Sequence, residues 1–251
     1  LGTAFGMGLI VTTFLMAIPD PNGGNFVVAA LIGNIGAIIG SIVSVRLMLI
    51  FSKKEFGTIE NACEVGEGDG KLRDNLRIIR TGSGPSRALS AILDGGKSGV
   101  EVGLSVIPGV LIICTLVMML TGDPSANGTY TGAAFEGVGL FPWIGEKLNF
   151  ILKPLFGFSS SQALAVPITA LGAAGAAIGV VPKLVASGLA GARDIAVFTA
   201  MCMCWSGYLS THVAMMSALK FPKMTGKSII CHTVGGLVAG VTANWLFVLV
   251  S

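Results

Sequence analysis

The segment TAMCMCWSGYLSTHVAMMS, residues 199–217, sets hydroxyls, thiols, thioethers and one imidazole into an apolar run. In a membrane interior each such group is costly, which makes each a functional candidate. At about 100° per residue, Thr199, Cys202, Ser206 and Ser210 fall within a sector of roughly 80° on one helix. Cys204, Tyr208, Thr211 and His212 form a second, broader face, with Met201 and Met215 beside it. Such faces suit the lining of a path for a polar solute or an ion. They equally suit plain packing, in which Ser and Thr hydroxyls bond back to the carbonyl one turn earlier. Gly207, between the two faces, allows a break that presents backbone carbonyls. His212 carries an imidazole whose charge changes near neutral pH, and is a candidate proton carrier. The competing reading is a contact with backbone or headgroups at a helix end, and for His232, close to Lys227, that reading is the stronger one. By type, Cys202, Cys204, Met201 and His212 would suit a soft metal. On a continuous helix, however, Cys202 and Cys204 point about 160° apart, a poor chelate.

Ser159, Ser160, Ser161 and Gln162 lie between two apolar arms. A hairpin tip there, with helix N-termini aimed inward, would be a binding site of the kind transporters use. The same residues are also a good N-cap cluster for a helix from Ala163. Glu101 follows the polar stretch Asp94-Gly95-Gly96-Lys97-Ser98, read as a helix entrance, and Pro108 lies about two turns further along the same face. Its carboxylate is a candidate for a coupling cation or for an interfacial ion pair. Asn149 and Asn244 are amides that need partners and are candidates for the same cavity. The run GAAGAAIG, residues 172–179, spaces small residues three and four apart, as tight helix packing or a sliding surface would require. The substrate-binding set is therefore Ser160, Ser161, Gln162, Thr199, Cys202, Ser206, Ser210, Thr211 and Asn149, with Glu101 and His212 for ion coupling. No phosphate loop, nucleophile elbow, zinc motif or dinucleotide fingerprint occurs. Enzyme chemistry has no support, and no cofactor is expected beyond a coupling ion, Na+ or a proton.

These residues need elements that live in lipid. Of the 251 residues 53% are hydrophobic and only 12% charged, whereas an ordinary soluble domain carries about 25% charged residues. Glycine is abundant, at 36 residues, and small residues let helices approach closely where lipid removes the hydrophobic drive between them. The net charge of +3, with its basic residues gathered in a few loops, suits membrane orientation and not a nucleic-acid surface. Five cysteines, mostly inside apolar stretches, give no disulfide framework.

The expected fold class is all-α, a polytopic integral membrane protein with discontinuous helices and a re-entrant helical hairpin. A spanning helix takes about 20 apolar residues. Residues 1–18 make a short first candidate, and the opening on Leu1 without a Met reads as a portion of a longer chain. Residues 26–51 make a second span, with Gly33, Gly36 and Gly40 on a small-residue face. Residues 52–98 form a polar loop with eight basic and seven acidic residues, cytoplasmic by the Lys/Arg rule. An interfacial helix is expected over 71–80, and Pro85 is placed to open the next helix. Further spans are expected over 100–120, 195–219 and 228–250, with Lys220, Lys223 and Lys227 on a cytoplasmic loop. Residues 140–158 are too polar for a lipid-exposed span, which favours a hairpin over 140–189. Three regions result: 1–51 with N-terminal transmembrane helices, 52–98 as the loop, and 99–251 as a transmembrane domain.

GVEVGLSVIPGVLIICTLVMML (99–120), GVGLFPWIGEKLNFILKPLFGF (137–158), AVPITALGAAGAAIGVVPKL (165–184) and AVFTAMCMCWSGYLSTHVAMMSAL (196–219) resemble the nucleoside-recognition, or gate-domain, superfamily. The nearest likeness is to its YjiH-like bacterial membrane proteins. The resemblance covers residues 99–250 and extends only loosely to 1–98. It implies a multi-pass protein of the bacterial inner membrane with hairpin-like discontinuous helices. It also implies a transporter, or half of a two-component transporter, for a small polar solute such as a nucleoside-like or amino-acid-like compound. Gate domains recur in concentrative nucleoside transporters, ferrous-iron transporters and spore-maturation membrane proteins, and short ones work in pairs. A homo-oligomer or a companion gate-domain protein is thus an expected partner. The rival expectations are a non-transporting subunit that assembles with or regulates such a partner, and a metal-ion permease.

Overall fold

Small residues spaced three and four apart bring helix α2 (Val27–Phe56) against helix α10 (Thr225–Val250). In the computed structural model, which describes residues 5–23, 25–57, 81–122, 128–132, 136–218 and 221–251, the two helices meet almost backbone to backbone. A Cβ added at Gly235 would lie 2.7 Å from the Gly40 carbonyl oxygen and 2.7 Å from the Ser44 Cβ. Gly36 faces the Ala239 carbonyl in the same way. Helix α8 (Ala192–Cys204) completes the core, with Gly33 of α2 pressed onto its Ala196 carbonyl and Thr199. Every residue of α8 from Asp194 to Cys202 is buried. The small-residue face expected on α2 is thus its contact face. Helix α1 (Phe5–Met16) rests on this core through Val11 and Leu15, and Thr12 donates to Asn34 Oδ1 at 3.1 Å. At one end, Lys227 pairs with Glu55 at 2.7 Å and joins the start of α10 to the end of α2.

The remaining helices make a second group. Helix α3 (Gly84–Thr121) packs on α9 (Tyr208–Ala218), where Gly109 admits Ala214. Helix α4 (Leu140–Phe156) is followed by a 3-10 turn, Gln162–Leu164, and three six-residue helices: α5 (Ala165–Ala170), α6 (Ala174–Gly179) and α7 (Val181–Ala186). Gly145 of α4 receives Leu164 and Ile168, so α4 and α5 lie together. Among the described residues there is no strand.

Three expectations change. Residues 84–98 are helical rather than loop, and Asp94-Gly95-Gly96-Lys97-Ser98 lies inside α3 rather than at its entrance. Pro85 starts this helix in its first turn, and a glycine inside it costs only about 1 kcal/mol relative to alanine, too little to stop it. The interfacial helix expected over 71–80 falls outside the described residues. The expected span over 195–219 is two helices, because Trp205, Ser206 and Gly207 form a turn in which Gly207 takes φ 73°. Finally, the run 172–179 does not pack as one tight face. Ala174, Ala177 and Ile178 are buried, while nothing lies within 4 Å of a Cβ added at Gly175 or Gly179.

The exterior is apolar. Along α2, Val28, Leu31, Ile35, Ile38, Ile42 and Leu49 point outward, and on α10 Leu249 is 79% exposed. By length and composition, Val27–Glu55 and Pro222–Val250 are long and apolar enough to cross a membrane.

If the α2–α10 contact sets the frame, Gly40→Val should lower stability by about 1–3 kcal/mol, the usual range for overpacking. Gly179→Ala, with open space around it, should leave it unchanged. Thermal unfolding of both variants in detergent checks this, and equal shifts would contradict the packing described.

Candidate functional site

The chain reverses after α4 at Gly157, which takes φ 67° and has Arg193 and Asn244 where a Cβ would sit. A left-handed residue with no room for a side chain has to be glycine. The residues that follow are held by α8. The Ser159 amide donates to Asp194 Oδ1 at 2.9 Å and its hydroxyl to Asp194 Oδ2 at 2.5 Å. The Gly191 amide adds a third hydrogen bond to Oδ2 at 2.9 Å. Asp194 is fully buried, and donors of this kind are what a buried carboxylate requires. Beside it, Arg193 Nε donates to Asn244 Oδ1 at 2.6 Å, and Asn244 Nδ2 donates to the Leu155 carbonyl at 3.1 Å. Ser160 is also committed: its hydroxyl donates to the Leu189 carbonyl at 2.8 Å and accepts from the Ala163 amide at 3.2 Å. The helix begins at Gln162 rather than Ala163, and Ser161 at its N-cap makes no side-chain cap bond; the Ser160 hydroxyl, one residue earlier, takes the Ala163 amide instead. Asp194 and Arg193 escaped the sequence reading, although an acidic residue in the first turn of an apolar helix is a recognisable signal.

The other half of the tip opens into space. Ser161 and Gln162 line a half-open cavity of about 1080 Å³ between α4, the end of α3 and the broken helices α5–α7. Met118, Leu140, Trp143 and Ile168 give it apolar walls, and Thr169 and Ser187 add hydroxyls. Gly175, Ala176 and Gly179 also line it, so the small-residue face of α6 makes room for the cavity. Glu146 from α4 and Lys183 from α7 both reach the lining, and no salt bridge joins them.

The expected solute face is divided by the turn at 205–207. Thr199 is fully buried, and its hydroxyl bonds back to the Ile195 carbonyl at 2.7 Å, so it packs. Cys202 is buried in the core. Ser206 sits half-buried in the turn and Thr211 half-buried on α9, while the Ser210 side chain lies outside those described. Asn149, half-buried on α4, and Glu101, exposed on α3, are both outside the cavity lining.

The turn instead gathers a buried aromatic cluster. His232 Nδ1 and His212 Nε2 are 3.1 Å apart, and His232 Nε2 reaches the Cys204 carbonyl at the end of α8. Tyr208 lies against both rings, with centroids 5.0 Å from His232 and 6.0 Å from His212, and its hydroxyl shares a 2.7 Å hydrogen bond with Thr233. Trp205 Nε1 donates to the His232 carbonyl at 3.3 Å. Gly207 donates its amide to the Ala170 carbonyl at 2.9 Å, linking the turn to the end of α5. The break expected at Gly207 therefore does present a carbonyl, and His232 takes it. The backbone contact expected of His232 is present, at the Cys204 carbonyl, and its contact with His212 is the part the sequence does not show. The Cys204 thiol is turned to the Ala37 carbonyl and the Ser41 hydroxyl of α2, and Met201 packs on Gly240. Among the described residues no group of three or more His, Cys, Asp or Glu is placed to hold a metal. The soft-metal set is thus not brought together.

No family model matches the chain, and neither does any curated protein or solved structure.

Ser159→Ala should cost about 1.5–3 kcal/mol, the range for a hydrogen bond to a charged group, whereas Ser161→Ala should cost little. Comparing their melting temperatures in detergent tests the assignment of Ser159 to the frame and Ser161 to the cavity. Equal losses would refute it.

Proposed function

We propose that the chain is a polytopic membrane transporter of the gate-domain type, resembling the YjiH-like proteins, and that it moves a small polar solute. The observation that carries this reading is the half-open cavity at the broken helices, which holds both signs of charge within an apolar exterior. Irregular backbone at membrane depth is tolerated where it lines a cavity, and discontinuous helices build the midplane sites of many transporters. Ser161 and Gln162 of the tip then contact the solute. Glu146 and Lys183, in one lining yet unpaired, favour a zwitterion over a neutral nucleoside: its ammonium meets Glu146, its carboxylate meets Lys183, and Trp143 and Ile168 take its apolar part. The basic residues of 52–98 and Lys220, Lys223 and Lys227 support a cytoplasmic face for both connections in a bacterial inner membrane. A coupling ion drives the cycle. Glu101, exposed and apart from the cavity, has no part in this reading.

One observation favours a second reading, a subunit that assembles with a companion gate-domain protein or a second copy. Leu89, Ile92, Leu93, Val100 and Leu104 of α3 are all exposed, and such a helix suits a partner as well as lipid.

In a thermal-shift screen of the purified protein, zwitterionic amino acids should stabilise it. Near saturation, at a hundred times Kd, the gain should approach about 2.7 kcal/mol, while nucleosides should give none. Glu146→Gln and Lys183→Met should each weaken that binding about tenfold or more, the loss of one charge-assisted contact. If no solute of any class shifted the protein while a copurifying chain did, the subunit reading would replace this one.

A further inference from the structure

His212 and His232 are the only histidines in the sequence, they sit on different helices, and the fold buries them ring to ring. Their hydrogen bonds fix where each proton is. The Cys204 carbonyl can only accept, so His232 must carry its proton on Nε2. In the neutral ring Nδ1 of His232 is then a bare acceptor, and His212 must donate to it from Nε2. That leaves His212 Nδ1 without a proton. This atom is buried and has no hydrogen-bond partner, in a side chain only 3% exposed. Buried polar atoms are paired in the great majority of cases, and an exception invites a ligand. The ligand that fits without moving a side chain is a single proton. Added at His212 Nδ1, it leaves the His212–His232 and His232–Cys204 hydrogen bonds as they are.

From these contacts we infer that the His212–His232 pair is a one-proton site. A second proton is excluded by geometry, because it would have to enter at His232 Nδ1, directly against the N–H of His212. Among the described residues the surroundings supply no competing charge. Helix α9 offers Tyr208, whose hydroxyl is engaged with Thr233 of α10, and α8 offers Cys204, whose thiol is turned to α2. Cys231 of α10 lies in an apolar cluster with Met48 of α2 and Met216 of α9, and Lys227 is paired with Glu55. Helix α3, packed on the other side of α9, meets it at Gly109 and Ala214. Among the described residues no carboxylate acts on either ring. The site stands on this geometry alone. Its use as the coupling-ion site rests on the transport reading, through the Gly207–Ala170 hydrogen bond that ties the same turn to the cavity wall.

The test is a pH titration of protein labelled with 15N-histidine and purified without a histidine tag, followed by NMR. At high pH two nitrogens should carry protons and two should be bare. On acidification one proton in total should enter, at His212 Nδ1, while His232 keeps its Nε2 proton throughout. Two protons entering, or a pattern that leaves His232 Nε2 bare, would overturn the site, and so would no uptake down to the pH of unfolding. Should His212→Gln fail to fold, His232→Gln serves instead, and in it the remaining histidine should titrate as a lone imidazole. Proteoliposome uptake then separates the two claims. Acceleration by an imposed pH gradient that is lost in His212→Gln, with solute exchange retained, supports coupling at the pair. Uptake indifferent to both the gradient and His212→Gln overturns coupling and leaves the transporter standing. A one-proton titration in a protein that moves no solute retains the site and removes the transporter.

Discussion

The distance between α2 and α10 governs the molecule. Where Gly40 meets Gly235 the helices touch through backbone atoms, which is possible only because neither residue has a side chain. That approach sets α10 close enough to α8 for Trp205 to lie over Gly236 and for Met201 and Phe156 to lie over Gly240. Trp205 belongs to the turn that divides α8 from α9, so the turn is seated on the small-residue face of α10. His232, one helical turn before Gly236, is thereby brought under the end of α8. A side chain at any of these glycines would wedge the helices apart and carry the turn, the histidines and the end of α4 with it. Close packing of this kind gives strong dispersion contact, and here it also fixes positions to which every polar contact at the core refers.

Breaking helices exposes backbone groups, and among the described residues the fold answers several of them with named partners. The Cys204 carbonyl receives His232, the Ala170 carbonyl receives the Gly207 amide, and the Leu189 carbonyl receives Ser160. The amides of Ser159 and Gly191 are received by Asp194. These contacts sort the polar residues into two kinds. Ser159, Ser160, Asp194 and Thr199 have spent their hydrogen-bonding capacity on the frame. Gln162, Glu146 and Lys183 line open space, and His212 Nδ1 has no partner at all. Unspent capacity marks where a ligand has something to bind.

Much of this was legible in the chain. The glycine spacing on α2 and a permissive Gly207 follow from residue type and local spacing, and the structure contains both the close contact and the turn, although the apolar run 195–219 also reads as one unbroken span. What was illegible depends on which segments meet. The sector of Thr199, Cys202, Ser206 and Ser210 presumes one continuous helix, and the turn before Ser206 removes that premise. Asp194 looks like a helix-start residue until Ser159, 35 positions away, is placed on it. His232 looks like an end contact because its partner lies 20 residues back on another helix. The glycines of 172–179 read as packing residues, and no local pattern says that the space beside them is a cavity. Pro85 marked the start of α3, but the helical state of the residues that follow it to 98 was hidden by composition, since polar residues and glycines look like loop wherever a helix has no packed face to reveal its period.

The hydrogen bond between the Gly207 amide and the Ala170 carbonyl gives these sites a mechanical relation. Ala170 closes α5, and the residue before it, Thr169, lines the cavity. Gly207 is two residues beyond the Trp205 ring that donates to the His232 carbonyl. A shift of α5 that narrowed the cavity around a solute would pull on the turn, and the turn can yield because Gly207 is its one left-handed residue. The histidine chain is sensitive to such a shift because one end is held by the carbonyl of Cys204, immediately before the turn. His212 is carried by α9, which begins immediately after the turn. The spacing across the turn sets whether the His212–His232 hydrogen bond and one extra proton fit together. In the proposed transporter, solute closure and proton retention would draw on the same three residues, and a turn that serves both would couple one to the other without any direct contact between solute and proton.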